Sequence, residues 1–258
     1  MLREATLADA GIDAVAVKPT EAEVTAALDL EVEAVAVDYE GREHVPAAET
    51  LTTLADSVDV RVTTPIRADG FDPLGDDSLA AALPEDVGRV LVAGHPAYLD
   101  DGERERAVAP RLRAGAEAAA DPWIGTESVE RLAMAVGHTQ YELLSPTTER
   151  DLRALRAAGF DGEVAVYAPT VLTDDEGAVL DALGAYAARR APVREALPDG
   201  AATDSAAAGR ARDVLSKAVR DYGLVGATEQ VADRVEALRE AGADHVVGYP
   251  ARGLDRFR

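Results

Sequence analysis

The stretch YGLVGATEQVADRVEALREAGADHVVGYP, residues 222–250, determines the fold class of this chain. Thr228 is placed to cap a helix, and apolar residues then recur at i, i+4 and i+7 on one helical face, namely Val231, Val235 and Leu238. Gly242 ends this helix, and we expect it to adopt a positive φ there. Residues 245–249 follow as a short apolar strand. The stretch therefore predicts one helix–strand unit of an α/β protein.

The same alternation of apolar, β-branched runs with helical patterns extends along the whole chain. The eight predicted strands are residues 14–17, 34–38, 60–64, 89–93, 123–125, 140–144, 163–167 and 244–248. The predicted helices are residues 21–30, 47–57, 78–83, 103–119, 128–136, 148–158, 174–189 and 228–241, with an extra helix near 207–221. Eight such units predict one α/β domain over residues 1–258, a single (β/α)8 TIM barrel. A doubly wound open sheet is the alternative, but the number of units and the chain length favour the barrel.

Prolines mark the ends of six predicted strands, and in a barrel these ends form the C-terminal rim, where active sites lie. Proline cannot donate a hydrogen bond to a ladder, so each of these residues is expected to stop its strand: Pro19, Pro65, Pro96, Pro146, Pro169 and Pro250. Residues 192–208 are rich in Pro, Gly, Asp, Ser and Ala and show no period. They predict a mobile segment, either a lid over the rim or an exposed connection.

The composition excludes several classes of protein. The chain has no cysteine, so disulfides and thiolate chemistry are absent, and no apolar run or signal segment indicates a membrane or secretory route. We therefore expect a cytoplasmic protein. The net charge is −22, dispersed along a lysine-poor chain, which favours a halophilic, acidic protein and disfavours nucleic acid as a partner. Aromatic residues are only 4% of the chain, so we expect a core of Val, Leu, Ala and Ile.

No nucleotide-binding, zinc-protease or serine-hydrolase motif is present in the sequence. The candidate residues are therefore polar side chains at predicted strand ends. His95 follows strand four and would face the rim, or it is a turn histidine bonded to backbone. Lys18 follows strand one and would form a Schiff base or bind phosphate. Asp38 ends strand two and would accept a hydrogen bond from a ligand, or it is an acid at a helix start.

Residues 226–247 resemble the closing helix–strand unit of the bacterial-luciferase-like hydride-transfer family. That family includes flavin monooxygenases and deazaflavin-dependent methylene-tetrahydromethanopterin reductases. Residues 122–137 and 162–190 are similar to its strand-five and strand-seven units, and residues 89–98 are loosely similar to its strand-four run. The chain is shorter than most members, and Thr64-Pro65 stands where the family has a non-prolyl cis peptide.

The resemblance implies an oxidoreductase that binds a deazaflavin (coenzyme F-420) or FMN at the C-terminal rim and moves hydride to or from a small substrate, for which a pterin is one candidate. The implied catalytic residues, which would contact the ring or substrate, are His95, Glu127 and Tyr39. The implied cofactor-binding residues are Gly94, Gly125, Thr126, Thr64 and Ser145. We expect five residues to meet in one rim cavity, namely His95, Tyr39, Glu127, Ser145 and Tyr167.

Two other functions stay open at this stage. A degenerate barrel that has lost its cofactor would act as a binding or regulatory protein, and the short loops favour this interpretation. An aldolase- or isomerase-like barrel would use Lys18. We expect a small-molecule substrate, no nucleic-acid partner and no membrane partner; a homodimer is the candidate assembly.

Overall fold

A computed structural model describes residues 6–257 of the chain. Eight parallel strands close into a barrel in the order β1-β2-β3-β4-β5-β6-β7-β9, with β9 pairing back to β1. Their bounds are β1 Ala14–Val17, β2 Ala34–Val37, β3 Asp59–Pro65, β4 Val87–Val92, β5 Trp123–Gly125, β6 Thr139–Leu143, β7 Val164–Leu172 and β9 His245–Pro250. A ninth strand, β8 (Leu224–Gly226), pairs with the far end of β7. The predicted (β/α)8 TIM barrel is confirmed.

Helices separate most of the strands. They are α1 Ala48–Ala55, α2 Ser78–Ala81, α3 Asp101–Glu105, α4 Val108–Ala118, α5 Glu130–Val136, α6 Thr148–Ala157, α7 Glu176–Ala188, α8 Ala191–Ala196, α9 Gly209–Tyr222 and α10 Thr228–Ala241. Short 3-10 turns complete the fold at Ala8–Ala10, Val24–Asp29, Arg42–His44, Pro96–Tyr98 and Leu254–Arg256. No helix within the described residues is long and apolar enough to cross a membrane.

The first two strands have the same sequence, Ala-Val-Ala-Val, and it sorts their side chains between two cores. Successive side chains of a strand point to opposite faces. Val15 and Val17 therefore join the aliphatic core between the barrel and its helices, together with the valines of β2. Ala14 and Ala16 face the interior of the barrel, which we call the lumen, with the alanines of β2. These small residues leave room for rings from other strands, namely Trp123, Tyr141 and Tyr167.

The stretch at residues 222–250 folds largely as predicted. Helix α10 covers the predicted residues, and Gly242 ends it at φ +120°, so both predictions are confirmed. The predicted cap is wrong, because Thr228 is the first helical residue and Ala227 precedes it as N-cap. Instead, the Gln230 side chain reaches back and accepts a hydrogen bond from the Ala227 N–H at 3.1 Å.

Two predicted helices differ from the structure. Residues 21–30 form only the 3-10 turn Val24–Asp29. The predicted helix over 103–119 is broken into α3 and α4 at residues 106 and 107. Pro110 explains the break, because proline has no N–H to continue a helix and fits only its first turn.

Strand β7 does not stop at Pro169, as the sequence predicted. It continues to Leu172, because Thr170–Leu172 pair with the unpredicted strand β8 once the strand has passed the barrel. Helices α7, α8 and α9 pack on one another beside this extension, and their buried side chains form a cluster of their own. We call residues 173–223 the helical insertion. After the helical insertion and β8, helix α10 packs against α6. Strand β9 then returns the chain to the barrel.

Residues 192–208 are not a lid. They begin within α8 and then pack against α7: the Ser205 N–H donates to Asp181 at 2.9 Å, and Ala207 is buried. Gly184 of α7 lies so close to this segment that an added Cβ would clash with the Thr203 carbonyl oxygen. The segment therefore belongs to the helical insertion and does not line the rim cavity.

Candidate functional site

A cavity of about 790 Å³ opens at the C-terminal end of the barrel, which is the rim where the sequence predicted a site. Its walls come from the chain after β2, β3, β4 and β5 and from the end of α7. The volume lies within the range of about 300–1,000 Å³ that is typical of small-molecule sites. The cavity is therefore large enough for a ring-sized ligand.

Strand register places three polar residues side by side at the base of this cavity. Val17 pairs with Val37, and Val37 pairs with Val62, so the next residues of the three strands lie at one level. These next residues are Lys18, Asp38 and Thr63, and all three line the cavity. The Thr63 hydroxyl donates to the Asp38 carboxyl at 3.4 Å.

Asp38 is the most perturbed acid of this cavity. Burial raises the pKa of its carboxyl to about 7, and Glu40 and Glu21 act in the same direction. The Lys18 charge and the Thr63 hydrogen bond lower the pKa but do not outweigh burial. Asp38 therefore exchanges a proton near neutral pH, which is the property expected of a general acid or base.

Tyrosines form much of the cavity wall. Five of the seven tyrosines of the chain line it, namely Tyr39, Tyr98, Tyr141, Tyr167 and Tyr186. Burial raises the pKa of each of these phenols, so they stay neutral at pH 7. Tyr141 and Tyr167 extend the wall into the lumen, where their ring centroids are 5.9 Å apart. The lining is therefore aromatic, with neutral hydroxyl groups.

His95 lies at the cavity edge and is also bonded to the backbone, so the two interpretations from the sequence hold together. Its Nδ1 accepts the Ala97 N–H at 3.1 Å and caps the turn Pro96–Tyr98. An accepting Nδ1 leaves the proton of the neutral ring on Nε2. His95 therefore offers a hydrogen-bond donor at the cavity wall.

Tyr39 and Tyr98 continue this wall beside His95. Their rings meet edge to face with centroids 6.0 Å apart, and the Tyr39 ring also packs against Phe71 at 5.7 Å. The Tyr98 hydroxyl donates to Glu40 at 3.2 Å. These contacts hold the rings in place before any ligand binds.

Three arginines line the cavity in a strongly acidic protein. Arg67 donates to the carbonyls of Ala93 and Gly94 at 2.6 and 3.1 Å, and burial lowers the pKa of its guanidinium. Arg189 and Arg190 come from the end of α7, at the mouth. Glu127, a predicted catalytic residue, lies 3.4 Å from Arg190, and its side chain is 56% exposed. The cavity lining thus combines these arginines and Lys18 with three carboxyl groups, those of Asp38, Glu40 and Glu127.

Gly94 and Gly125 line the cavity, but packing within the protein explains why neither has a side chain. A Cβ on Gly94, whose φ is +94°, would lie 3.0 Å from Leu99 and 3.3 Å from Pro65. A Cβ on Gly125 would lie 2.7 Å from Val92. Their predicted role in close approach to a cofactor is therefore not required to account for them.

Three predicted cofactor-binding residues do not line the cavity. Thr64 points away from the lumen because it alternates with Thr63, and its buried hydroxyl donates to the Val90 carbonyl. The Thr126 hydroxyl is buried and donates to the Tyr141 carbonyl at 3.3 Å. Ser145 bonds to Thr147 and Thr148 at the start of α6. Of the five residues expected to converge, four line the cavity and Ser145 does not.

The sequence interpretation missed Tyr186, Arg189 and Arg190. They come from the end of a helix, whereas the predicted site residues all lie at or just after the ends of predicted strands. They reach the rim because the extension of β7 carries the helical insertion beyond the barrel. The signal was an adjacent arginine pair after a tyrosine, in a chain with few cations and few aromatic residues.

The opposite end of the barrel has a structural cluster. Trp123 stacks on His245 with centroids 5.5 Å apart, and the Arg61 guanidinium lies 4.5 Å from the Trp123 centroid. His138 lies before β6 with φ +62°. Within residues 6–257 no three His, Asp or Glu residues are grouped to hold a metal ion, and every peptide bond is trans, including Thr64–Pro65.

The fold is a (β/α)8 barrel, and it has a cavity at its C-terminal rim. The chain belongs to the family of unknown function DUF7388, whose model matches residues 7–257. The search of the curated proteins gives no match.

Solved structures share this barrel at low sequence identity. An F420-dependent secondary alcohol dehydrogenase, solved in complex with an F420-acetone adduct, is similar with a TM-score of 0.63 and 13% identity over 96% of this chain and 99% of that one. The apo structure of MsnO8 is similar with a TM-score of 0.56 and 14% identity over 95% and 97% of the two chains. These likenesses show the fold.

Proposed function

We propose that this protein is a luciferase-like oxidoreductase that binds a deazaflavin or FMN in the rim cavity and moves hydride to or from a small substrate. The observation that supports this most strongly is the position of Asp38, which lies beside Lys18 and Thr63 at the base of a cavity walled by tyrosines. The dehydrogenase of similar fold, which is F420-dependent by its description, makes a deazaflavin the first cofactor to test.

The residues of the cavity fit such a cofactor. A flat ring system needs apolar, aromatic walls, and Tyr39, Tyr98 and Tyr167 supply them. The ribityl phosphate needs cations, and Arg189 and Arg190 supply them at the mouth. The bound ring would supply the hydride chemistry, while the protein orients the reactants and excludes water.

Asp38 would hold the proton that accompanies hydride movement. At neutral pH it is present in both protonation states, so it can give a proton to a substrate oxygen or nitrogen, or accept one from it. Thr63 orients the carboxyl through its hydrogen bond, and Lys18 provides a nearby positive charge. Neighbouring strands hold the three residues, which favours a precise geometry.

His95 would act as a hydrogen-bond donor and not as the base. Its Nδ1 lone pair is used by the Ala97 N–H, so the Nε2–H is the group left for a ligand. Tyr39 packs beside it and would contact the ring or the substrate. These roles differ from the proton transfer proposed for Asp38, so substitutions of His95 and of Asp38 should have different effects.

A barrel without cofactor, acting as a binding or regulatory protein, is the second candidate. Two observations favour it. Packing against Leu99 and Val92 accounts for Gly94 and Gly125 without a cofactor, and Thr64, a predicted cofactor-binding residue, is buried. An aldolase- or isomerase-like role for Lys18 has less support. The Glu21 carboxylate, at 3.3 Å, and the Tyr249 ring, at 4.4 Å, both engage its ammonium group as a cation.

Equilibrium titration with FMN and with the deazaflavin, followed by absorbance and fluorescence, tests the proposal. We expect micromolar binding of at least one cofactor, weakened about tenfold in His95→Ala because a hydrogen bond to the ligand is lost. His44→Ala is the matched control, since His44 lies outside the cavity. Absence of binding for both cofactors in the folded protein would favour the binding-protein candidate.

A further inference from the structure

The mouth of the cavity contains one arginine in a fixed position. The Arg190 guanidinium lies 4.7 Å from the Tyr186 ring centroid and 5.5 Å from the Tyr222 ring centroid, and it also donates to the Tyr186 hydroxyl. Its side chain is only 23% exposed. A guanidinium held by two aromatic rings loses little further freedom when it binds an anion.

The anion that Arg190 contacts is held much more loosely. Glu127 lies in the loop after β5, its side chain is 56% exposed, and its one described ion pair is the 3.4 Å contact with Arg190. No other hydrogen bond of the Glu127 carboxylate occurs within residues 6–257. The pair therefore consists of a positioned cation and a carboxylate that can leave at little cost.

The charge around this pair favours an anion. Arg189 adjoins Arg190, also lines the cavity, and makes no ion pair with a carboxylate within the described part of the chain. The chain as a whole has a net charge of −22. Within the described residues, Arg189 and Arg190 therefore have one ion-paired carboxylate between them, that of Glu127.

We propose that Glu127 is an internal counter-ion, not a catalytic acid: it occupies an oxyanion subsite at Arg189 and Arg190 that a phosphate, sulfonate or carboxylate of the ligand takes over. The inference deepens the proposed function and rests on it for the ring portion of the ligand. Guanidinium groups can bind such oxyanions through two parallel hydrogen bonds. Glu127 makes only one contact with Arg190, at 3.4 Å.

The inference predicts opposite effects for the two members of the pair. Glu127→Gln removes the competing charge and should tighten binding of an anionic ligand about two- to fivefold, as expected for an exposed ion pair. Arg190→Gln removes charged hydrogen bonds and should weaken the same binding about ten- to hundredfold. Neither substitution should change binding of an uncharged ligand with the same ring. A catalytic Glu127 predicts no gain in affinity.

Two matched pairs of probes test this at one fixed KCl concentration. FMN and riboflavin differ only in the phosphate, and 8-anilinonaphthalene-1-sulfonate and N-phenyl-1-naphthylamine differ in the sulfonate. Each is titrated into wild type, Glu127→Gln and Arg190→Gln, with folding checked by circular dichroism. The control variants are Glu130→Gln and Arg194→Gln, which alter exposed residues of α5 and α8 outside the cavity.

The outcomes separate this inference from the proposed function. Tighter FMN binding in Glu127→Gln, with riboflavin unchanged, supports the subsite and assigns it to the cofactor. If the naphthalene pair alone responds while both flavins bind, the subsite belongs to the substrate. If the naphthalene pair responds, and neither the flavins here nor the deazaflavin in the equilibrium titration binds, the subsite stands and the proposed function fails. Equal responses of the charged and uncharged probes in both pairs would overturn the inference.

Discussion

The two faces of the barrel strands differ in composition and in what they do. The outward face is aliphatic: Val15, Val35 and their neighbours pack against the helices and are fully buried. The lumen contains alanines and large rings, and the ring centroids of Trp123 and Tyr141 are 5.7 Å apart. At the rim the lumen opens toward titratable groups. Burial of apolar area explains the outer layer completely. It does not explain the half-buried Asp38 carboxyl at the rim, whose position at the base of the cavity is what a ligand site would require.

Replacing a lumen ring should produce the largest effect. Trp123→Ala is expected to lower the free energy of unfolding by about 3–5 kcal/mol, because the ring contacts Tyr141, His245 and Arg61. Chemical denaturation in high salt measures this change. Leu152→Ala, in the outer layer, is the matched comparison and should cost about 2–5 kcal/mol without altering the cavity. A cost below about 1 kcal/mol for Trp123→Ala would show that the lumen is loosely packed.

Asp38→Asn should stabilise the protein at alkaline pH, unlike any polar substitution in the outer layer. The folded-state pKa of about 7 exceeds the ordinary value of 3.8, so the folded protein binds the proton more tightly. Stability is then lost as the pH rises from about 4 through about 7. The variant avoids this loss, so we expect it to be about 2–4 kcal/mol more stable than wild type at pH 8 and nearly equal at pH 4.

Thermal unfolding across this pH range measures the effect of Asp38→Asn. Asp86→Asn serves as the control, because Asp86 is an exposed aspartate outside the cavity. Equal stability of Asp38→Asn and wild type at pH 8 would mean that the carboxyl is already charged without penalty in the fold.

Gly184→Ala should have a smaller effect, confined to the helical insertion. The new Cβ would meet the Thr203 carbonyl oxygen, so we expect a loss of about 1–3 kcal/mol and faster amide exchange over residues 198–208. Hydrogen–deuterium exchange measures both the site and the extent of loosening. Gly102→Ala, at an exposed helical glycine, is the control. Unchanged exchange in Gly184→Ala would indicate that residues 198–208 do not depend on this packing.

The fold was predictable because each barrel strand is a separate apolar run, with proline close to most of the strand ends. The limits of β1 and β5 were predicted to the residue. The helical insertion was not recognised, since α7 has the same sequence pattern as a helix packed on the barrel. Only the pairing of β7 with β8 beyond Pro169 distinguishes the helical insertion. This pairing depends on contacts between distant parts of the chain, which the local sequence pattern does not contain.

The site was predictable in part. The position of a residue relative to its strand decides whether its side chain faces the cavity or the outer layer. His95, Tyr39 and Glu127 line the cavity because residues that follow strands reach the rim. Thr64 lies outside the cavity because even-numbered β3 residues, such as Val60 and Val62, face the outer layer. The low aromatic content of the chain gives no indication of the cavity wall, although five of its seven tyrosines lie there.

The most direct test of the central claim is the pKa of Asp38 itself, measured by carbon-13 NMR of the aspartate carboxyl groups, with Asp38→Asn used to assign the signal. If the lumen is built to hold a proton beside a ligand, the Asp38 signal should titrate with a midpoint of about 7. A midpoint near 4, the ordinary range for an aspartate, would contradict this account, because the cavity would then contain a permanently charged carboxylate.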